Sequence, residues 1–218
     1  RTLPAGAYPE PIYHAPIRAN FTSTFDGQSI IKEPSPEANA NFVTVYEAIG
    51  DLPLLVSGEQ GEVIKEYRCD AFCAYQRRSR LGSVGVMNHE APRLSPINLK
   101  RLEYIQPGGN WTDIPDELLP KGMQKARKSD HTKRYGRVPD GLASTILTKC
   151  DPHWGAFFHY EQNRSFTVRE AARLQSFPDH FVFTGNLAEQ FAQVGNAVPP
   201  LLAQAVGLSL RSILETED

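Results

Sequence analysis

The residues able to do chemistry in this chain are mostly arginines, amides and hydroxyls in two clusters. Arg169, Glu170 and Arg173 lie within Phe166-Thr-Val-Arg-Glu-Ala-Ala-Arg-Leu-Gln-Ser-Phe-Pro-Asp179. An arginine can grip a carboxylate or carbonyls through paired hydrogen bonds and fix a geometry. Gln76-Arg-Arg-Ser-Arg80, with Lys125, Arg127, Lys128, Lys133, Arg134 and Arg137, forms a set of donors suited to nucleic acid. Arginine and glutamine can read guanine and adenine edges in the major groove, whereas most basic residues contact phosphate or only solvent. Cys69 and Cys73 are four apart, but no second Cys or His pair completes a zinc site. His153 and His159 read as ordinary loop histidines.

Charge is distributed unevenly. Residues 65–137 hold 15 of the 23 Lys and Arg but 8 of the 25 Asp and Glu, a local net charge of +7 inside a chain whose net charge is −2. A basic middle between acidic ends suits a protein that offers one surface to a polyanion. The alternative is a solvated, lysine-rich loop region. With 40% hydrophobic and 22% charged residues, the 218-residue chain is expected to form one globular domain or two small ones. No apolar run approaches the length needed to span a bilayer, so no membrane partner is expected. Three irregularly spaced cysteines fit a reducing compartment.

Several elements must position these groups. Residues 1–40, rich in Pro, Gly, Ser and Asn, read as an extended connector. A short helix is predicted over Thr44–Leu52, stopped by Pro53, then a turn-rich loop over 56–63. Arg93–Ile105 reads as a helix whose regular part begins at Pro96 and ends at Pro107-Gly-Gly-Asn110. Trp111–Pro115 reads as a short ordered turn. Lys121–Arg137 lacks apolar periodicity and is predicted to be an exposed loop, and Thr145–Thr148 reads as a strand. Thr167-Val-Arg-Glu170 and Asn186-Leu-Ala-Glu189 both have the form of a helix start with a capping residue and a Glu three positions on. The first predicts a helix over Val168–Ser176. The second predicts one that ends with Gly195 at C′. Pro199-Pro200 opens a last helix to about Leu214, apolar on more than one face and therefore expected to be buried.

The run Phe166–Asp179 and Gln193-Val-Gly-Asn-Ala-Val-Pro-Pro200 resemble the ninth and tenth motifs of the DNA cytosine-5 methyltransferases. Phe42-Val-Thr-Val-Tyr-Glu-Ala-Ile-Gly-Asp-Leu-Pro53 is similar to the segment that follows the family's middle motifs. Pro107-Gly-Gly-Asn-Trp-Thr-Asp-Ile-Pro115, Tyr135-Gly-Arg137 and Ser144-Thr-Ile146 resemble elements of its target-recognition region. The likeness covers about residues 42–210. It implies an α/β, Rossmann-like methyltransferase fold, represented here mainly by the irregular α+β target-recognition domain and the helix that closes the large domain. The implied organisation is a connector over 1–40, a target-recognition domain over 41–193 and a returning segment over 194–218.

Family members flip a cytosine out of the duplex, attack its C6 with a cysteine thiolate and move a methyl group from S-adenosylmethionine to C5. The attacking cysteine lies in a Pro-Cys dipeptide. Here Cys69 follows Arg68, Cys73 follows Phe72 and Cys150 follows Lys149, and Glu-Asn-Val is absent from the sequence. The resemblance therefore implies no catalytic residue in this chain, which matches the family from just after the eighth motif. It implies Asn196 and Ala197 beside S-adenosylmethionine, most of whose site the N-terminal part supplies. Many members have Ser in place of Ala197, leaving a backbone contact there. It also implies Thr145 at the DNA backbone, Arg173 as a buttress of the recognition domain, and Arg169 and Glu170 as structural. Gln76, Arg78, Arg80, Lys128, Arg134 and Arg137 complete the DNA-binding candidates.

The implied partners are double-stranded DNA and the catalytic half, in the same chain or a second subunit. The implied setting is bacterial cytoplasm at the nucleoid, within restriction–modification or host methylation. A stand-alone DNA-binding module is the alternative; it would pack its last helix internally and bind DNA without a second chain. A structural protein with no DNA role would show no salt-dependent DNA binding.

Overall fold

The computed structural model describes residues 9, 13–14, 24–25, 28–29, 40–60, 63–125, 134–149 and 155–215. The chain divides into two units, one made of residues 1–42 and 200–218, the other of residues 43–199. In the first unit, β1 (Tyr13–His14) pairs in parallel with β4 (Ala40–Asn41), and β2 (Thr24–Phe25) pairs antiparallel with β3 (Gln28–Ser29). Most of the expected connector lies outside the described residues. The second unit contains α1 (Val45–Ile49), α2 (Ala74–Arg80), α3 (Pro96–Leu102), α4 (Lys121–Gln124), β5 (Gly136–Arg137), β6 (Ala156–Phe158), α5 (Val168–Leu174) and α6 (Leu187–Asn196). The last helix, α7 (Pro200–Glu215), belongs to the first unit.

Local chemistry sets the helix starts. Thr44 with Glu47, Thr167 with Glu170, and Asn186 with Glu189 each form a reciprocal capping box, as the sequence predicts for the latter two. Helix α5 ends two residues early. Ser176 adopts φ 64°, and Phe177 N–H donates to the Ala172 carbonyl at 2.9 Å, so the last turn closes in a Schellman-type arrangement without glycine. Helix α3 begins at Pro96, where the missing amide hydrogen costs nothing. Trp111–Asp113 forms a single 3-10 turn capped by Asn110.

Three apolar clusters fill residues 43–199. Trp111, Leu102, Ile105, Ile114, Met123, Tyr135 and Phe158 build the first. Val45, Ile49, Leu52, Val86, Val138 and Phe166 build the second. Val168, Ala171, Ala172, Phe177, Phe183, Phe191 and Val194 build the third, with Ile146 and Ala197 packed against it.

Five expectations need correction. Lys121–Arg137 is not simply an exposed loop: Lys121–Gln124 is helical, Met123, Tyr135 and Arg137 are buried, and Gly136–Arg137 pairs in parallel with β6. Two large apolar side chains, far apart in period, were enough to anchor it. Thr145–Thr148 is not a strand; with no strand paired to it among the described residues, its β-rich composition is not realised, and Ile146 instead packs into the third cluster. Gly195 is not a C′ residue but lies inside α6, which ends at Asn196 with Ala197 extended at ψ 147°. Finally, the stretch Leu187–Glu215 contains a window of mean hydropathy 1.3, long and apolar enough to cross a membrane. It is two helices broken at 197–199, and α6 turns Phe191 and Val194 into the third cluster, so a spanning role does not follow. None of the residues of α7 is buried, contrary to expectation; Leu202, Leu208, Leu210 and Leu214 are exposed.

Candidate DNA- and cofactor-facing site

Helix α5, in the segment that resembles the ninth motif, is the structural hub of residues 43–199. Arg173 is fully buried and donates to both carboxylate oxygens of Asp179 at 2.6 Å and to Asp51 at 3.1 and 3.2 Å, and caps the α1 carbonyl of Ala48 at 2.8 Å. Asp51 in turn accepts from Arg80 at 2.8 and 2.6 Å, and Tyr67 donates its hydroxyl to Asp179 at 2.7 Å. Burial alone would lower the Arg173 pKa, but the hydrogen bonds and charges of Asp179 and Asp51 raise it above the ordinary arginine value. Burial, with the bond to Asp179, pushes the Tyr67 hydroxyl up to about 12. This network joins α1, α2 and α5 through groups more than 100 residues apart.

Arg169 and Glu170 serve the same helix. Arg169 donates to the carbonyls of Met87, Pro178 and Phe181 at 2.8, 3.1 and 2.6 Å, and burial lowers its pKa. Glu170 accepts two hydrogen bonds from buried Arg164, at 2.8 and 2.6 Å, besides closing the Thr167 cap. Burial raises the Glu170 pKa, but the Arg164 charge and hydrogen bonds outweigh it and hold the carboxyl well below its usual range. Thr167 Oγ1 accepts from the Glu170 amide and faces His89 Nδ1 at 2.9 Å, while His89 Nε2 faces the Pro53 carbonyl at 2.9 Å. A carbonyl can only accept, so the His89 proton sits on Nε2 and Thr167 donates to Nδ1. Asn88, at φ 56°, donates to the Phe183 carbonyl and accepts from its amide, pinning the third cluster. Asn88, His89, Arg164, Asp51 and Asp179 were not singled out from sequence as functional groups; only their contacts across the chain reveal them.

The DNA-binding candidates divide by burial. Gln76 is buried and accepts from the Phe72 amide at 3.0 Å, so it is not available to read a base. Arg80 is committed to Asp51 and the Cys69 carbonyl and stacks 3.8 Å over Tyr67. Arg137 is buried and donates to the Leu102 carbonyl at the end of α3 and to Asn163. These three are structural in the folded chain, and a sequence of basic residues could not distinguish them from surface ones. Arg77, Arg78, Lys125 and Thr145 are exposed, and Arg134 is half-buried. Arg127, Lys128, Lys133 and His153 lie outside the described residues. Cys69 is exposed, and Cys73 Sγ donates to the Glu47 carbonyl. No group able to hold a metal occurs among the described residues.

The two implied cofactor residues stand at the end of α6. Asn196 is exposed, and Ala197 is half-buried on the third cluster. Their chemistry fits the rim of a cofactor pocket: one amide that can donate and accept, and one extended backbone unit. Residues 147–148, just after the exposed Thr145, run against Gly195. A Cβ placed on Gly195 would meet the carbonyl carbon and oxygen of Leu147 and the amide of Thr148, each at 2.6 Å. Residues 147–148 thus lie against Gly195, next to Asn196, and Ile146 and Ala197 pack on the same apolar cluster.

The model of the C-5 cytosine-specific DNA methylase family matches residues 103–212. DNA (cytosine-5)-methyltransferase 2 of Arabidopsis thaliana is 38% identical over 192 residues, covering 79% of this chain and 12% of that protein. Type II methyltransferase M1.HphI of Haemophilus parahaemolyticus is 37% identical over 190 residues, covering 87% of this chain and 41% of its own length. Type II methylase M.HgiDII of Herpetosiphon aurantiacus is 34% identical over 195 residues, covering 86% and 49%. The chain thus spans less than half the length of these relatives. A crystal structure of a DNA modification methyltransferase encoded within an Escherichia coli prophage superposes with a TM-score of 0.56 at 22% identity, covering 81% of this chain and 49% of that one, which shows a methyltransferase fold. The family match establishes that this chain belongs to the C-5 cytosine-specific DNA methylases.

Proposed function

We propose that this chain is the DNA-recognising and cofactor-pocket-completing part of a DNA cytosine-5 methyltransferase, and that it is inactive alone. The observation that carries this reading is the arrangement around α5 and α6. The ninth-motif helix is buried as a scaffold, while Thr145 and Asn196 remain exposed on adjoining segments. Thr145 would donate its hydroxyl to a DNA phosphate, which positions the duplex without reading sequence. Arg78, Arg134 and Lys128 supply further phosphate or base contacts. Asn196 and the Ala197 backbone would border S-adenosylmethionine, which when bound supplies the methyl group transferred to C5 of a flipped cytosine. The reacting cysteine and the rest of the cofactor site would come from the catalytic half, in a longer chain or as a second subunit. The exposed apolar residues of α7 supply a surface for that half. Residues 41–193 would form the target-recognition domain and 194–218 the return to the catalytic domain. The type II methyltransferases among its relatives support a restriction–modification setting in the bacterial cytoplasm, acting at the nucleoid.

Two measurements test this. Incubated with cytosine-containing duplex and labelled S-adenosylmethionine, the chain alone is expected to transfer no methyl group. Adding a chain that carries Pro-Cys and Glu-Asn-Val is expected to start transfer. Methylation by the chain alone would overturn the reading. In fluorescence anisotropy, duplex binding is expected to weaken as salt rises, because counterions are released on binding. Arg78→Gln, at an exposed position where a surface contact is worth little, is expected to lower affinity several-fold with at most a small change in stability, whereas Arg137→Gln should lower stability. Equal loss of DNA binding in both variants at full folding would place the buried arginine at the interface and overturn the division by burial.

A further inference from the structure

We infer that Gly195 is a positioning residue whose missing side chain lets the DNA-side segment seat directly on α6, fixing where Thr145 stands. This rests on the reading of Thr145 as a DNA contact. Two independent observations carry it. First, the space where a Cβ would stand at Gly195 is filled by backbone: Leu147 C and O and Thr148 N all lie at 2.6 Å. Backbone cannot swing aside as the end of a flexible side chain can, so any larger residue must push residues 147–148 away from α6. Second, Ile146 and Ala197 both pack against the same apolar cluster, from the segment and from the end of α6 respectively. The segment has no strand partner among the described residues. Its path over Thr145–Thr148 is therefore set by this seat. Interiors are packed densely enough that such a displacement is passed along the chain rather than absorbed.

Residue 195 lies within α6 and carries no polar side chain, so its effect on DNA must act through Thr145. That gives a signature a generic loss of stability lacks. Thr145→Val removes only the hydroxyl, and Gly195→Ala removes only the seat. If the seat works by aiming that hydroxyl, the two losses overlap. Each variant of this chain is expected to weaken binding to a fluorescein-labelled duplex by roughly 3- to 10-fold, the range of one lost hydrogen bond of about 1 kcal/mol. The double variant is expected to bind no worse than the weaker single one. Multiplying losses, or unchanged affinity in a folded Gly195→Ala protein, would overturn the inference. Should Gly195→Ala fail to fold by thermal melting, Ile146→Ala loosens the same seat without a clash and is expected to show the same overlap with Thr145→Val; multiplying losses there overturn it equally. If the wild-type chain binds no duplex, the DNA reading fails instead. The seat is then judged by amide exchange at residues 144–148, which Gly195→Ala or Ile146→Ala is expected to speed and which unchanged exchange would refute.

Discussion

Replacing Arg173 by methionine is expected to destabilise the fold by about 3–5 kcal/mol, the usual cost of removing one member of a buried ion pair. The reason is what it leaves behind. Asp51 and Asp179 are both fully buried and both rely on this guanidinium, the first through contacts at 3.1 and 3.2 Å and the second through two at 2.6 Å. The Ala48 carbonyl at the end of α1 would lose its donor as well. In a domain of this size, that loss corresponds to a fall in melting temperature on the order of 10 °C. Urea denaturation of the full chain measures it. The origin is separable from packing: Arg173→Met combined with Asp51→Asn and Asp179→Asn removes the stranded charges and is expected to recover much of the loss. Arg80 can then turn towards solvent, since its side chain is already 18% exposed. If the triple variant is no more stable than Arg173→Met, the penalty comes from lost shape rather than lost charge compensation. Arg173→Met at wild-type stability would remove the network from any account of the fold.

That network also marks where sequence reading stopped. Local rules reached the capping boxes at Thr167 and Asn186 and the proline start of α3, because each signal and its consequence lie within four residues. The resemblance identified Arg173 as a buttress, but its acceptors are 122 residues away at Asp51 and six away at Asp179. No periodicity links Asp51 to Arg173. The same limit explains Gln76, Arg80 and Arg137, which look like surface donors in a basic stretch and are instead spent inside the molecule. Gly195 is a different case. Its place after a capped helix suggests backbone freedom at a helix end, whereas the structure shows close approach of another segment. Thr145 was read as a strand residue from composition. Pairing partners decide strands, and none stands beside it among the described residues.

Acid is expected to unfold this protein in two stages, and the first belongs to histidine. Burial pushes the His159 pKa down to about 4 from 6.5, against the pull of Glu170. Its Nδ1 accepts from the amides of Glu161 and Gln162, both at 3.0 Å, so the neutral ring carries its proton on Nε2 and has no lone pair left for another. Glu170 stands 3.5 Å from Nε2 but is already held by Arg164, and cannot make a strong new pair. A lowered pKa in the folded state means that the unfolded chain binds the proton more tightly. Stability is therefore full above about pH 6.5 and falls as pH drops towards 4, by up to about 3 kcal/mol from this residue. Burial lowers the His89 pKa in the same direction. Below about pH 4.5 a second loss begins, because Glu170, held ionised by Arg164, must be protonated in the unfolded chain first. Urea midpoints measured from pH 8 to 2.5 check both stages. His159→Asn keeps an oxygen where Nδ1 accepts from the two amides but cannot titrate. It is expected to lower stability at pH 8 through lost ring contacts with Tyr160 and Phe166, and to flatten the slope between pH 6.5 and 4. An unchanged slope in that variant would show that His159 takes up its proton in the folded protein, and that the acid response starts elsewhere.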